Sequence, residues 1–133
     1  MTTVTKIQTK NDSWANVNFD PTYSRLPEQF YTVINPQPVT APIFISINKP
    51  LAQTLGLDIA TITSKDNLDV FSGNAILKGM TPLAMTYAGH QFGQFVPQLG
   101  DGRANLLTEI IAKDGTRFDI HLKGSGITPY SRN

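Results

Sequence analysis

Two runs with the residue pattern of β-strands lie near the end of the chain, at 106–112 and 116–123. Asp114-Gly115 separates them, and an Asp-Gly dipeptide between such runs is typical of a tight β-hairpin. Because successive side chains of a strand point to opposite faces, the second run has an apolar and a polar face. The apolar face carries Phe118, Ile120 and Leu122, and the polar face carries Arg117, Asp119, His121 and Lys123.

The Asp-Gly dipeptide also sets the expected pairing of the two strands. A type I′ loop of two residues needs a positive φ at both positions, which Asp-Gly accommodates. In that register Ile111 pairs with Phe118 and Leu106 pairs with Lys123. Glu109 then lies on the face opposite Lys123, so we expect no ion pair between these two side chains.

The first third of the chain is rich in proline and aromatic residues and shows no clear period. Residues 1–13 are polar, and we expect a flexible N-terminus there. Residues 14–42 are predicted as an extended wrap, because each proline disfavours a helical conformation of the residue before it. The β-branched run at 42–47 predicts a short strand.

A short capped helix is predicted after this run. Asn48 is a favoured N-cap residue, Pro50 suits the first turn, and Gly56 suits the C-terminal end. Residues 65–86 are expected to hold one or two short helices. Aromatic and β-branched residues at 92–100 then predict a strand that leads into a glycine-rich turn.

Composition limits the classes of protein to which the chain can belong. It has 133 residues, enough for one domain of ordinary size, and 40% of them are apolar. The net charge of +1 gives no basic footprint for nucleic acid. No apolar run approaches the roughly 20 residues that a membrane span needs. The absence of cysteine excludes disulfides and thiolate metal sites. The polar start at 1–12 lacks the apolar core of a signal peptide, so we expect a cytoplasmic protein.

The candidate chemistry lies at one end of the predicted hairpin. Gly100 and Gly102 let backbone N–H groups approach a phosphate, because no Cβ stands in the way. Arg103 offers a forked donor to phosphate oxygens, and Lys123 offers a point charge. The hairpin register carries the first glycine-rich segment alongside residues 124–126. We therefore expect both glycine-rich segments, the arginine and the lysine to converge at one end of the sheet.

A plainer interpretation of the same residues stays open. A turn at 100–102 can serve only to reverse the chain, and a lysine at the end of a strand is often only solvated. The order strand, glycine loop, strand, turn and strand with lysine is nevertheless that of kinase-type nucleotide sites. Asn105 stands where the third glycine of a G-x-G-x-x-G motif would lie, and no Walker A pattern occurs.

The remaining polar residues give weaker signals. His90 and His121 are the only histidines, and no H-E-x-x-H motif accompanies them, so we expect no metal site built on them. The end of the chain is rich in hydroxyl groups, which are typical of a loop. These residues are Ser125, Thr128, Tyr130 and Ser131.

Four motifs in a fixed order closely resemble the selenoprotein O family. They are Tyr-Ala-Gly-His-Gln-Phe-Gly at 87–93, Pro-Gln-Leu-Gly-Asp-Gly-Arg-Ala at 97–104, Asp-Ile-His-Leu-Lys-Gly-Ser-Gly at 119–126 and Thr-Pro-Tyr-Ser-Arg at 128–132. The stretch from Leu26 to Gly56 also fits the N-terminal region of that family. Because the motifs are long, the resemblance is specific. It covers nearly the whole chain, but only about the first quarter of a family member.

The resemblance implies an α+β fold that forms the N-terminal part of a protein-kinase-like fold, described in the family as a pseudokinase. An antiparallel sheet with a glycine-rich loop and a β-hairpin would follow short helices and the extended N-terminal wrap. Residues 14–133 would then form an incomplete N-terminal lobe of a kinase-like nucleotidyltransferase domain.

The resemblance also implies a protein adenylyltransferase, which binds ATP in a flipped orientation and transfers AMP to Ser, Thr or Tyr hydroxyls of proteins. Gly100, Gly102 and Arg103 would contact the phosphates of ATP, and Lys123 would match the lysine that holds phosphate. The general base and the ligands of Mg²⁺, or of Mn²⁺, are expected beyond Asn133. This chain would then contain no catalytic or metal-binding residue.

Two further possibilities stay open beside an N-terminal fragment that is inactive by itself. One is a stand-alone nucleotide-binding or interaction module without catalysis, although an uncovered apolar sheet face and a free strand edge are unfavourable for it. The other is transfer of UMP from UTP, because recognition of the base would come largely from residues outside this chain.

Overall fold

An antiparallel sheet occupies most of the second half of the chain in the computed structural model, which describes residues 6–8 and 12–132. The strands in these residues are β1 Lys6–Gln8, β2 Asn18–Phe19, β3 Tyr31–Val33, β4 Ala75–Leu77, β5 Leu83–Gln91, β6 Gln94–Gly100, β7 Ala104–Ile111 and β8 Arg117–Lys123. The α-helices are α1 Lys49–Thr54 and α2 Lys65–Phe71, and short 3₁₀ turns span Asp12–Trp14, Tyr23–Arg25 and Glu28–Phe30. The expected α+β class is therefore confirmed.

The main sheet has the strand order β2–β7–β5–β3, with β6 paired to β5 and β8 paired to β7. All of these pairs are antiparallel, and hairpins join β5 to β6 and β7 to β8. β1 and β4 form a separate parallel pair. The predicted order of strand, glycine turn, strand, turn and strand with lysine is formed by β6, β7 and β8.

The hairpin of β7 and β8 is confirmed, but its loop is one residue longer than a type I′ turn. The Gly115 N–H donates to the Ala112 carbonyl over 2.9 Å, and the Ala112 N–H donates to the Thr116 carbonyl over 2.9 Å. Gly115 has a φ of +84°, whereas the φ of Asp114 is not positive. A three-residue loop that ends in a left-handed glycine is a common alternative to the two-residue loop.

The longer loop makes the predicted strand register wrong. Ile111 pairs with Arg117, and an irregularity that follows Leu106 shifts the pairing again, so that Ala104 pairs with Lys123. The extra residue of this irregularity lies in β7. The alternation of half-buried and exposed side chains along β8 is therefore largely kept, and the apolar face of β8 points to the core.

Glu109 shows the consequence of the register error. It pairs with Asp119 on the polar face of β8, so its predicted place on the face opposite Lys123 is wrong. The Glu109 carboxylate is buried, and it accepts hydrogen bonds from the Thr22 hydroxyl over 2.5 Å and from the Tyr23 N–H over 2.6 Å. Glu109 therefore anchors the N-terminal segment to the sheet, far along the strand from the lysine.

Two predicted elements differ from the structure. Residues 42–47 form no strand, and Ile43 and Ile45 are 80% and 96% exposed. A β-branched run becomes a strand only where a neighbouring strand pairs with it, and none of the described strands does so here. The segment 65–86 contains one short helix, α2, as expected, and β4 and the start of β5 follow it. Residues 92–93 form the turn between β5 and β6 and are not part of a strand.

The described N-terminal residues contain more secondary structure than the sequence predicts. The flexible N-terminus predicted for 1–13 falls partly on residues 1–5 and 9–11, which lie outside the described residues. Between them, Lys6–Gln8 forms β1 and pairs with β4. The extended wrap predicted for 14–42 is interrupted by β2, by β3 and by 3₁₀ turns.

The helix predicted after Asn48 is confirmed together with its caps. The Asn48 side-chain oxygen accepts a hydrogen bond from the Leu51 N–H over 3.0 Å, and Gly56 follows the helix with a φ of +81°. Ser64 caps α2 in the same way through the Asn67 N–H, over 3.3 Å. No helix within residues 6–8 and 12–132 has the length and apolarity that a membrane crossing requires.

A buried hydrogen-bond network joins the N-terminal segment to the helices. Asn67 is completely buried, and its Oδ1 accepts a hydrogen bond from Trp14 Nε1 over 2.9 Å. Its Nδ2 donates to the Thr61 carbonyl over 2.8 Å and also to Ser13 Oγ. The Trp14 ring stacks on Phe19, with centroids 6.0 Å apart. The network lies in the apolar core that α1, α2 and β4 form against β7 and β8.

Replacing Asn67 by alanine is expected to lower the free energy of unfolding by about 2–3 kcal/mol, because the Trp14 N–H then has no acceptor in the core. Chemical denaturation followed by fluorescence measures this loss, since Trp14 is the only tryptophan. Asn35→Ala is the matched control, because Asn35 is exposed and its loss should cost less than about 0.5 kcal/mol. Equal stability of the two variants would contradict a structural role of the network.

Candidate functional site

A cleft of about 1020 Å³ opens at the end of the sheet where β6 and β8 both finish. All four residues of the predicted site line it: Gly100, Gly102, Arg103 and Lys123. β6 ends at Gly100, and β7 begins one residue after Arg103, at Ala104, which is the partner of Lys123. The turn between β6 and β7 and the end of β8 are therefore neighbours.

The second glycine-rich segment lies beside the first, as the sequence predicts. The Ser125 N–H donates to the Arg103 carbonyl over 3.0 Å, and the Ser125 hydroxyl donates to Asn105 Oδ1 over 2.5 Å. Gly124 has a φ of +72°, which lets the chain turn directly after β8. The observed strand register differs from the predicted one along β7, but the end of β8 still lies at this turn. The reason is that the partner of Lys123 is the first residue of β7.

Arg103 and Lys123 present positive charge to the cleft. Both side chains belong to exposed residues, and neither makes an ion pair with a carboxylate within the part of the chain that the structure describes. Arg132, which the sequence does not single out, lines the same cleft. Cations that line one concave surface raise the local concentration of anions there. The cleft can therefore hold an anionic group such as a phosphate.

The two glycines of the turn are required for different reasons. A Cβ on Gly100 would lie 2.6 Å from the Met85 carbonyl oxygen and 2.6 Å from the Tyr130 Cβ. Gly102 has a φ of +66°, and no atom lies within 4 Å of the position of its Cβ. Gly100 is thus needed for close packing, and Gly102 for a left-handed backbone beside open space. The open space beside Gly102 leaves that part of the cleft wall without a side chain.

The hydroxyl-bearing segment after β8 holds the glycine turn in place. Thr128 Oγ1 donates to the Gly102 carbonyl over 2.6 Å, and Ser131 Oγ donates to the same carbonyl over 2.9 Å. The Tyr130 hydroxyl shares a hydrogen bond of 2.7 Å with Thr32 Oγ1 of β3. The sequence predicts only a loop here, because a short polar stretch does not reveal which carbonyl groups its hydroxyls reach.

Asp101 lies inside the glycine turn and brings a negative charge to the cleft. The Tyr87 hydroxyl donates to Asp101 Oδ1 over 2.7 Å. This hydrogen bond, together with burial and the negative charge of Asp101, raises the pKa of Tyr87. Asp101 Oδ2 is buried and accepts no hydrogen bond, and His121 Nδ1 lies 3.7 Å from it. The sequence gives no signal for this arrangement, because the three residues lie on separate elements.

The histidines do not come together. His121 lines the cleft, whereas His90 is exposed on the β5–β6 hairpin, where its ring meets that of Phe95 at a centroid distance of 5.5 Å. Among the residues that the structure describes, no group of three His, Asp or Glu side chains has the arrangement of a metal site. Among the described residues, the cleft thus presents three cations and one carboxylate, and any metal ion held by them would depend on a ligand for most of its coordination.

Comparison with known proteins agrees with the motifs. Residues 13–133 match the family described as protein adenylyltransferase SelO. A protein nucleotidyltransferase YdiU of Alkalilimnicola ehrlichii is 55% identical over 114 residues, and that of Alkaliphilus metalliredigens is 58% identical over 115 residues. Each alignment covers 86% of this chain and 23% of the relative.

The YdiU protein of Rhizobium rhizogenes is 58% identical over 116 residues, which are 87% of this chain and 23% of the relative. The chain thus spans about a quarter of the length of the relatives that it matches. The family match includes the glycine turn, the end of β8 and the hydroxyl-bearing segment that holds the turn. This chain therefore belongs to the protein adenylyltransferase SelO family.

Proposed function

We propose that the cleft binds the phosphate groups of ATP and that the protein which carries it transfers AMP to Ser, Thr or Tyr hydroxyls of other proteins. The observation that carries the proposal is the convergence of Arg103 and Lys123 on a glycine turn in one cleft. Arg103 supplies a planar forked donor, and Lys123 supplies a compact charge from the end of β8. Gly102 keeps that part of the cleft wall free of a side chain.

The proposed reaction explains why cations are needed at this place. A substrate hydroxyl oxygen forms a bond to the α-phosphorus of ATP, and the bond from that phosphorus to the bridging oxygen breaks. Pyrophosphate leaves with the negative charge, and the proton of the hydroxyl goes to a general base. Fixed positive groups at the phosphates stabilise this charge in the transition state. We assign this electrostatic role to Arg103 and Lys123.

A magnesium or manganese ion does not fit the residues described here as a protein-held metal. One carboxylate among the described residues, Asp101, lines the cleft, and its Oδ2 is buried away from solvent. Such ions are bound through one or two carboxylates together with substrate phosphates. We therefore propose that the metal ligands and the general base belong to other parts of the longer family proteins, and that these 133 residues alone do not transfer AMP.

Removing either cation should weaken ATP binding without unfolding the chain. Lys123→Ala and Arg103→Ala are each expected to raise the Kd for ATP about tenfold or more, because each removes a charged hydrogen bond to phosphate. Isothermal titration calorimetry on the 133-residue chain measures the change. Lys113→Ala is the matched control, since this exposed lysine lies in the β7–β8 loop, outside the cleft. An equal loss in all three variants would contradict the proposed site.

Substituting each of the two turn glycines should distinguish a role in packing from a role in ATP binding. Gly100→Ala is expected to lower the free energy of unfolding by about 2 kcal/mol or more, because its Cβ meets backbone and Tyr130. Gly102→Ala should cost only about 1 kcal/mol of stability but weaken ATP binding at least about threefold. Gly93→Ala is the control for Gly102→Ala, since it has a φ of +75° and open surroundings outside the cleft. Chemical denaturation measures the stability, and calorimetry measures the ATP affinity. An unchanged ATP affinity of Gly102→Ala would contradict the assignment of Gly102 to the ATP-binding wall of the cleft.

Transfer of the nucleotide is tested in a chimera in which this chain replaces the matching 115-residue segment of the Alkaliphilus metalliredigens relative. The chimera should label protein with AMP from ATP labelled at the α-phosphate, and Lys123→Ala should lower the rate at least about tenfold. The 133-residue chain alone should give no labelling. A parallel assay with labelled UTP distinguishes transfer of UMP. Labelling by the chain alone would contradict the proposal that the metal ligands and the general base belong to other parts of the longer family proteins.

A further inference from the structure

Asp101 is an unexpected residue in a cleft that binds phosphate, because its carboxylate repels the anion that Arg103 and Lys123 attract. One of its oxygens is occupied by the Tyr87 hydroxyl, at 2.7 Å. The other, Oδ2, is buried and accepts no hydrogen bond. A buried carboxylate oxygen without a donor is costly, so the structure calls for a group that supplies one.

His121 is the group in position to do this. Its Nδ1 lies 3.7 Å from Asp101 Oδ2, and its Nε2 lies 3.9 Å from an oxygen of Asp119, its neighbour on β8. The cations that line the same cleft are Arg103, Lys123 and Arg132. Because Oδ2 is closed to solvent, a metal ion from solution is a poor alternative partner for it. An imidazole is the ordinary side chain that can gain and lose a proton between pH 5 and 8.

We propose that His121 is a further anion-binding side chain of this cleft and that it takes up a proton when the phosphates of ATP bind. The proposal rests on the proposed function. As an imidazolium, His121 neutralises Asp101 through Oδ2 and removes the repulsion between that carboxylate and the phosphates. Its own positive charge adds to that of Lys123, two residues further along β8. Binding and protonation then favour each other by the same factor.

The sign of the pH dependence follows from this linkage. An imidazole is largely neutral at about pH 8, so binding that needs the imidazolium must recruit a proton there. At about pH 6 a large fraction of an imidazole is already protonated, and this cost falls. The affinity for ATP should therefore rise as the pH falls, by about fivefold between these two values.

Isothermal titration calorimetry of ATP against the 133-residue chain tests the proposal at about pH 8 and about pH 6, in buffers with different enthalpies of protonation. His121→Gln should lose the tightening at low pH, apart from the part that comes from titration of ATP itself, and should lose the proton uptake. His90→Gln is the matched control, because it removes the only other histidine, which lies outside the cleft. It should keep both the tightening and the proton uptake.

Asp101→Asn provides a second variant if His121→Gln does not fold. The amide can still accept the hydrogen bond from Tyr87, but its charge is gone, so ATP should bind more tightly than to the unaltered chain at about pH 8. The dependence on pH should shrink at least about twofold. ATP binding with the same pH dependence and proton uptake in His121→Gln would overturn the role of His121 and leave the ATP site intact. Absence of ATP binding at both pH values would overturn the proposed function and this inference with it.

Discussion

The shape of the cleft depends on the hydrogen bonds that the carbonyl group of Gly102 accepts. Two hydroxyls from the segment after β8, those of Thr128 and Ser131, donate to it. The Ser125 N–H holds the next carbonyl, that of Arg103. These bonds tie the turn between β6 and β7 to a segment more than twenty residues further along the chain. A loop of glycines is flexible by itself, and this attachment gives it the single conformation that a binding site requires.

The elements that could be predicted from the sequence are those with local determinants. The helix after Asn48 was predictable because its cap, its proline and its terminal glycine lie within nine residues. The β7–β8 hairpin was predictable from its Asp-Gly turn, but its register was not, because Asp-Gly fits loops of two and of three residues. The run at 42–47 has strand composition without a partner strand. Pairing is a property of the fold, and composition alone does not reveal it.

The candidate site was predictable to a similar extent. The convergence of Arg103 and Lys123 on one cleft needed only the hairpin and the end of β8, and both survive the register error. The packing role of Gly100 was not predictable, since it depends on a close approach of Tyr130 from the end of the chain. The same holds for Asp101, whose neighbours come from β5 and β8. Tertiary contacts between distant segments leave no periodic signal in the sequence.

The distribution of charge explains why composition gave so little indication of an anion site. Elsewhere on the fold, Asp20 binds Arg25 over 2.8 Å and Arg117 over 2.6 Å, and Lys65 binds Asp69 over 2.9 Å. The hydrogen bond from Arg117, which has the larger effect, and the hydrogen bond from Arg25 lower the pKa of Asp20. The arginine and the lysine of the cleft have no such partner among the described residues. Like charges in one cleft repel each other until an anion enters, so a phosphate relieves a cost that the free protein carries. A net charge of +1 averages over both regions and conceals this difference.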